Sequence, residues 1–206
     1  MANVDGSGAR QVTHDSVGAE NPTMARDGRW IVYVSDNPRH FGVWKIRPDG
    51  TDATPLAPGA FNLAEVSPDG HYALFIEAQY AALQTVIRVV EVESGRRVPF
   101  EIVVPHAFGL ASGIWGRARW TPDSRAIAFV GTDAAGRAGV FVQDFEPGRD
   151  TAASRRPLAG LQLGRPTESF GISPDGTCIV LSLLEQTASV MLADAVPGVE
   201  PPVRRR

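Results

Sequence analysis

The sequence is short of the residues that usually reveal chemistry. It has one cysteine, Cys178, which excludes an internal disulfide and any multi-cysteine zinc or iron–sulfur site. Cys178 stands in the apolar run Cys178-Ile-Val-Leu181, so a buried, reduced thiol is expected. Lys45 is the only lysine, and arginine supplies nearly all the positive charge. No stretch approaches roughly 18 consecutive apolar residues, so no membrane-spanning helix is expected. The opening residues lack the basic and apolar regions of a signal peptide. The compartment therefore stays unassigned: cytoplasmic by default, extracytoplasmic if the chain is exported as part of a longer protein. His14, His40, His71 and His106 never fall at metal-ligand spacing, and each lies in or beside an expected loop. A net charge of -3 gives no field that would draw the chain to nucleic acid. No metal or cofactor is expected.

What the chain does have is glycine (21) and proline (16), about 18% of its 206 residues against roughly 12% in average usage. With 43% hydrophobic residues, that describes a folded protein with many tight turns. The turns repeat. Ala25-Arg26-Asp27-Gly28 recurs as Ser67-Pro68-Asp69-Gly70, Thr121-Pro122-Asp123-Ser124 and Ser173-Pro174-Asp175-Gly176, with the aspartates 42, 54 and 52 residues apart. A hydroxyl residue, a proline that presets φ, an aspartate and a glycine spell a type I turn between two strands. Structural roles follow for Asp27, Gly28, Pro68, Asp69, Gly70, Pro122, Asp123, Pro174, Asp175 and Gly176.

After each turn comes a short apolar run that reads as a buried strand: 30–34, 72–76, 126–130 and 178–181. A second run follows at 42–46, 86–90, 139–143 and 189–192, and in three repeats a further turn and last short strand. Residues 77–84 alone would pass for a helix; the register makes the stretch a strand, a long loop and a second strand, with room for a short helical turn around 78–84. Trp30 and Trp44 fall in strand runs and are expected between packed sheets. The unit is four-stranded, which is a propeller blade. The expected blades are 18–58, 59–104, 105–160 and 161–200, with 201–206 a flexible tail. Residues 1–17 supply the last strand of a preceding blade, or Arg10–Thr13 closes the last blade. The ring is closed with four blades, or it is an arc of a larger one, whose open edges would invite self-association.

The Ser-Pro-Asp-Gly turn followed by an apolar strand resembles the TolB-type, WD40-like propeller repeat of bacterial proteins, over residues 18–200. Two copies depart from it: Ala25-Arg26 lacks the proline and Ser124 replaces the glycine. The last repeat, 168–176 through 190–193, also resembles the C-terminal propeller of bacterial serine/threonine protein kinases. That resemblance implies a sensory or interaction module preceded by a catalytic domain. The chain itself lacks kinase motifs: Gly6-Ser-Gly8 has no third glycine, Asp144-Phe145 is followed by Glu146, and His-Arg-Asp is absent. Gly109-Leu-Ala-Ser-Gly113 has its serine one place late for a hydrolase elbow. No Asp-x-Asp-x-Asp calcium loop accompanies the turn aspartates. Catalytic residues are therefore not expected.

Ligands of propellers meet the loops at a mouth of the ring. Seven residues before each turn aspartate stand Glu20, Asn62, Gly116 and Glu168; one residue further in are Asn21, Leu63, Arg117 and Ser169. Trp115 sits in the apolar, glycine-rich insert 106–116 and would make a binding anchor if exposed. Glu20, Asn62, Trp115, Arg117 and Glu168 are the expected binding residues. The expected function is an all-β propeller scaffold for a protein or peptide. Three terminal arginines are too few to argue for nucleic acid. The alternatives are a TolB-like envelope-complex component, or a propeller gating a hydrolase encoded elsewhere.

Overall fold

The structure is a computed structural model that describes residues 1–14, 17–59, 63–105, 118–133, 135, 137–162 and 167–183. The described residues form fourteen strands and two single-turn 3-10 helices. The first sheet holds β1 (Ala19–Met24), β2 (Ile31–Ser35), β3 (Gly42–Ile46) and β4 (Thr54–Pro58) in that order. The second holds β5 (Ala64–Val66), β6 (Tyr72–Gln79), β7 (Gln84–Glu91) and β8 (Arg97–Pro105). The third holds β9 (Ala118–Trp120), β10 (Ala126–Thr132), β11 (Ala138–Asp144) and β12 (Arg156–Gln162). A fourth pairs β13 (Thr167–Ile172) with β14 (Ile179–Leu183). All pairings are antiparallel. The first strand of each sheet packs against the first strand of the next, so β1, β5, β9 and β13 mark the inner edge. This is the architecture of propeller blades.

The stacking explains why the strands read as continuous apolar runs and not as alternating ones. Each middle sheet is buried on both faces, so both side-chain parities must be apolar. In β6, Ala73 and Phe75 face the first sheet, among Trp30, Val32, Val34 and Val90. Leu74 and Ile76 face the third, among Ile87, Ile102, Ile127 and Phe129. β10 repeats the division: Ile127 and Phe129 turn to the second sheet, Ala126 and Ala128 to Phe170 of the fourth. Between the second and third sheets, Phe145 is ringed edge-on by Tyr72, Phe100 and Trp120 at centroid distances of 5.0, 4.9 and 4.9 Å. Aromatic pairs favour that geometry because a positive ring edge meets a negative face.

The repeated turns share one hydrogen-bond scheme. In the second, the Ser67 hydroxyl donates to Asp69 Oδ1 (2.6 Å) and accepts from the Tyr72 amide (3.0 Å), while the His71 amide donates to the same carboxylate oxygen (3.0 Å). Thr121 with Asp123 and Ser173 with Asp175 reproduce it. Ala25 has no hydroxyl, and the first turn keeps only the Arg29 amide on Asp27 Oδ1 (3.0 Å) and the Gly28 amide on the Ala25 carbonyl (3.0 Å). The fourth position is left-handed throughout, with φ of 67, 79, 62 and 73° at Gly28, Gly70, Ser124 and Gly176. Ser124 bears that conformation without glycine's freedom. Its hydroxyl compensates by accepting the Asp69 amide of the neighbouring turn (3.1 Å).

The turns also touch in a circuit. A Cβ built on Gly70 would lie 3.4 Å from both Ala25 Cβ and Asp27 Oδ2, and one on Gly176 would lie 3.6 Å from Pro122 Cγ. Arg26 Nη2 donates to the Pro174 carbonyl (3.0 Å), linking the first turn to the fourth.

Four expectations change. Cys178 is exposed, because it precedes β14 at the rim of the two-stranded sheet, where Val180 is itself 70% exposed. Arg10–Thr13 forms no strand; Arg10 donates to the Pro48 carbonyl, and the segment lies against the first sheet. The short helical turn allowed within 78–84 is present as a 3-10 turn at Tyr80–Ala82, but the long loop is not: β6 runs to Gln79 and β7 starts at Gln84. Trp30 is buried between the first two sheets, but Trp44 is only half-buried and donates its indole N–H to the His40 carbonyl (2.8 Å). The insert 106–116, the run 189–192 and the tail 201–206 lie outside the described residues.

The exposed Asp175 carboxyl is held at about 2, below the usual 3.8, mainly by the Ser173 hydroxyl and then by the Thr177 amide and hydroxyl. A depressed carboxylate contributes stability that is present above its unfolded pKa and lost as pH falls through the folded one. Carbon-13 NMR titration is expected to place the Asp175 midpoint near 2, and to show the Thr177 amide shift moving with it. A midpoint at or above 3.8 contradicts the turn scheme.

Candidate functional site

The inner strands run from a mouth, where β1 begins at Ala19, to the Ser-Pro-Asp turns at the opposite end. Four residues before each turn aspartate stand Thr23, Glu65, Arg119 and Gly171. Three of these four join neighbouring sheets. The Thr23 hydroxyl accepts the Val66 amide (3.0 Å). Arg119 Nη1 pairs with Glu65 Oε2 (3.0 Å), and its Nε donates to the Phe170 carbonyl (2.9 Å). Trp120 Nε1 donates to the Glu65 carbonyl (3.1 Å). The first to fourth sheets are thus stitched along the axis by side chains. The Glu65 and Arg119 side chains are 17% and 22% exposed, so the pair is sheltered without being sealed from water.

Of the expected mouth residues, Glu20 and Glu168 stand three residues before Thr23 and Gly171 in β1 and β13. Glu20 is exposed in β1, opposite Val34, at an irregularity where Asn21 takes a φ of 50°. Glu168 lies in β13. Asn62, Trp115 and Arg117 lie outside the described residues. The alignment that selected Glu20 and Glu168 passed over Glu65 and Arg119. The signal was present: carried three residues further, the same alignment puts opposite charges in adjacent repeats.

A second linkage sits toward the outside. Lys45 is buried, and its Nζ donates to the carbonyls of Val92 (2.7 Å) and Glu93 (2.8 Å) in the next sheet's hairpin turn. Burial lowers its pKa. Lys45 and Arg47 flank the Trp30 ring at 4.4 and 4.6 Å, cations against an aromatic face. The only lysine is therefore engaged in joining sheets. His14, His40 and His71 are exposed. Among the described residues, no group of three His, Cys, Asp or Glu could hold a metal ion. No helix among them is long and apolar enough to cross a membrane. The arrangement fixes the sheets relative to one another.

No family model matches the chain. An uncharacterised protein of Agrobacterium fabrum is 22% identical over 136 residues, covering 62% of this chain and 44% of that protein. Among solved structures, TolB from Acinetobacter baumannii superposes with a TM-score of 0.64 at 21% identity, covering 87% of this chain and 41% of that one. A putative TolB from Agrobacterium tumefaciens gives 0.56 at 18%, over 86% and 62%. The structure of two prolyl endopeptidases gives 0.52 at 18%, over 81% of this chain and 26% of that one. At these identities the likeness is one of fold. The chain spans less than half the length of the A. fabrum and A. baumannii proteins.

The Glu65–Arg119 pair has a measurable worth. Removing one partner leaves a sheltered charge uncompensated, whereas removing both does not. In a double-mutant cycle of Glu65→Gln and Arg119→Met read by urea unfolding, each single change is expected to cost about 1–3 kcal/mol, with a coupling of about 1 kcal/mol. A coupling near zero would show that the pair does not join the sheets.

Proposed function

We propose that this chain is a non-catalytic propeller scaffold that binds a protein or peptide at the mouth formed by the starts of its inner strands. One observation carries the reading: the polar groups deeper along the inner strands are used up in sheet-to-sheet bonds, whereas Glu20 at the mouth is exposed. A strand array pinned from within presents its end loops in fixed positions, which lowers the ordering cost of recognition. Glu168, Asn62, Trp115 and Arg117 would complete the mouth. The TolB-like fold supports the same reading, since a propeller of this kind offers a concave end to a partner.

The context we favour is an interaction module of a serine/threonine protein kinase, for which the support is the pattern of the last repeat. A TolB-like component of an envelope assembly is the second reading, and the fold likeness to TolB speaks for it. A propeller gating a hydrolase is the third, on the fold likeness to prolyl endopeptidases.

Peptides selected from a displayed library on the purified chain are expected to slow amide exchange at residues 18–21 and 167–169. Glu20→Arg should weaken those peptides about tenfold, the loss of one charge-assisted contact, while Glu93→Ala at the opposite end should leave them unchanged. A selection that yields no binder protecting the mouth contradicts the proposal.

A further inference from the structure

Away from the mouth, β8 and the connection from β11 to β12 enclose a cleft of about 450 Å³. The strand register places it on the outer part of the second and third sheets, toward the end that carries the Ser-Pro-Asp turns: Arg97 of β8 lies opposite Val90, and Tyr72 at the start of β6 lies opposite Glu91. Four arginines line it, Arg88, Arg97, Arg149 and Arg155, against two carboxylates, Glu101 and Asp150. Two of these arginines, Arg88 and Arg149, are held in ion pairs, so the positive charge left to meet a ligand is that of Arg97 and Arg155, in a chain that is net negative.

The arginines differ in what they already hold. Arg88 is satisfied twice, donating to Glu77 (2.5 Å) and Glu101 (2.6 Å). Arg149 pairs with Glu146. Arg155 meets only neutral oxygens: Gln143 Oε1 at 3.2 and 3.1 Å from Nε and Nη2, and the Val103 carbonyl at 3.4 Å. Gln143 is wholly buried and fixed by its own donation to the Thr151 hydroxyl (3.2 Å), so it orients the guanidinium. The Phe129 ring, 5.1 Å away, supports the cation from another side. Burial lowers the Arg155 pKa, and no neighbouring carboxylate offsets it. Arg97 is exposed, and among the described residues neither it nor Arg155 forms an ion pair. A partly buried, oriented and uncompensated cation is a standing cost that an incoming carboxylate would relieve.

The rest of the lining narrows the ligand. Pro99, Phe100 and Val103 give the cleft an apolar side next to the arginines. Glu101 and Asp150 disfavour a compact dianion, yet can accept hydrogen bonds from peptide N–H groups. We propose that this cleft binds an acidic peptide segment of a partner protein, one carboxylate lying between Arg97 and Arg155 and a neighbouring apolar side chain lying against Pro99 and Val103. It is a second site, separate from the mouth, so one can be present without the other.

The test uses the full chain and a fluorescein-labelled peptide of two aspartates flanked by leucines, read by fluorescence anisotropy. The acidic peptide is expected to bind, and its asparagine counterpart about tenfold more weakly. Arg97→Glu alters an exposed side chain and should keep the thermal melt of the parent while weakening the acidic peptide about tenfold or more. Arg155→Met should weaken it as well, and added salt should weaken it further. Equal binding of the two peptides, or unchanged binding by Arg97→Glu, overturns the proposal. Full displacement by an equal concentration of inorganic phosphate also overturns it, and would mark a small-anion site instead.

Discussion

A carboxylate oxygen that takes several hydrogen bonds from its own turn is the constraint on which this propeller depends. At Asp69, Asp123 and Asp175 it collects a hydroxyl two residues back and an amide two residues on, and that hydroxyl receives an amide at the start of the next strand or, for Cys178, one residue before it. The chain is reversed at a fixed angle, which sets where the second strand of the sheet begins. Register then follows: with both faces of β6 and β10 buried, a slip of one residue would exchange Ala73 with Leu74, or Ala128 with Phe129, between two cores of different shape. The turns also meet one another through Ser124 with Asp69 and Arg26 with Pro174, so local geometry becomes the spacing between sheets.

Polar bonds along the inner strands do the same work at mid-height. Glu65, Arg119 and Trp120 bind three sheets through three side chains and two carbonyls. Lys45 binds two sheets further out. These groups are individually modest in worth, about 1 kcal/mol each, but they fix relative position where apolar packing alone is non-directional. The chain therefore combines apolar cores that hold its sheets together with polar bonds that orient them.

Much of this was legible in the residues because it is repeated. A Ser-Pro-Asp-Gly turn and an apolar run recur in register, and repetition overrode the helical look of residues 77–84. The pairing of Glu65 with Arg119 was harder to see, since it joins two repeats and each residue taken alone reads as an ordinary polar strand position. Cys178 misled because an apolar run implies burial only where another layer covers it, and Val180 beside it is exposed. Arg10–Thr13 misled for a related reason: an extended, β-compatible sequence pairs only if a strand edge is within reach, and here the segment meets the Pro48–Gly50 turn of the first sheet. The arginine cleft left no local pattern, because Arg97 and Arg155 come from different sheets.

The measurement that bears most directly on this account is native-state hydrogen exchange of the turn amides. The Asp69, Tyr72 and Ala126 amides, each bound to a hydroxyl oxygen, are expected to exchange as slowly as the paired amides of β6 and β10. If they exchange as fast as the exposed residues 3–8, the turns open independently of the sheets and cannot be what holds them in place.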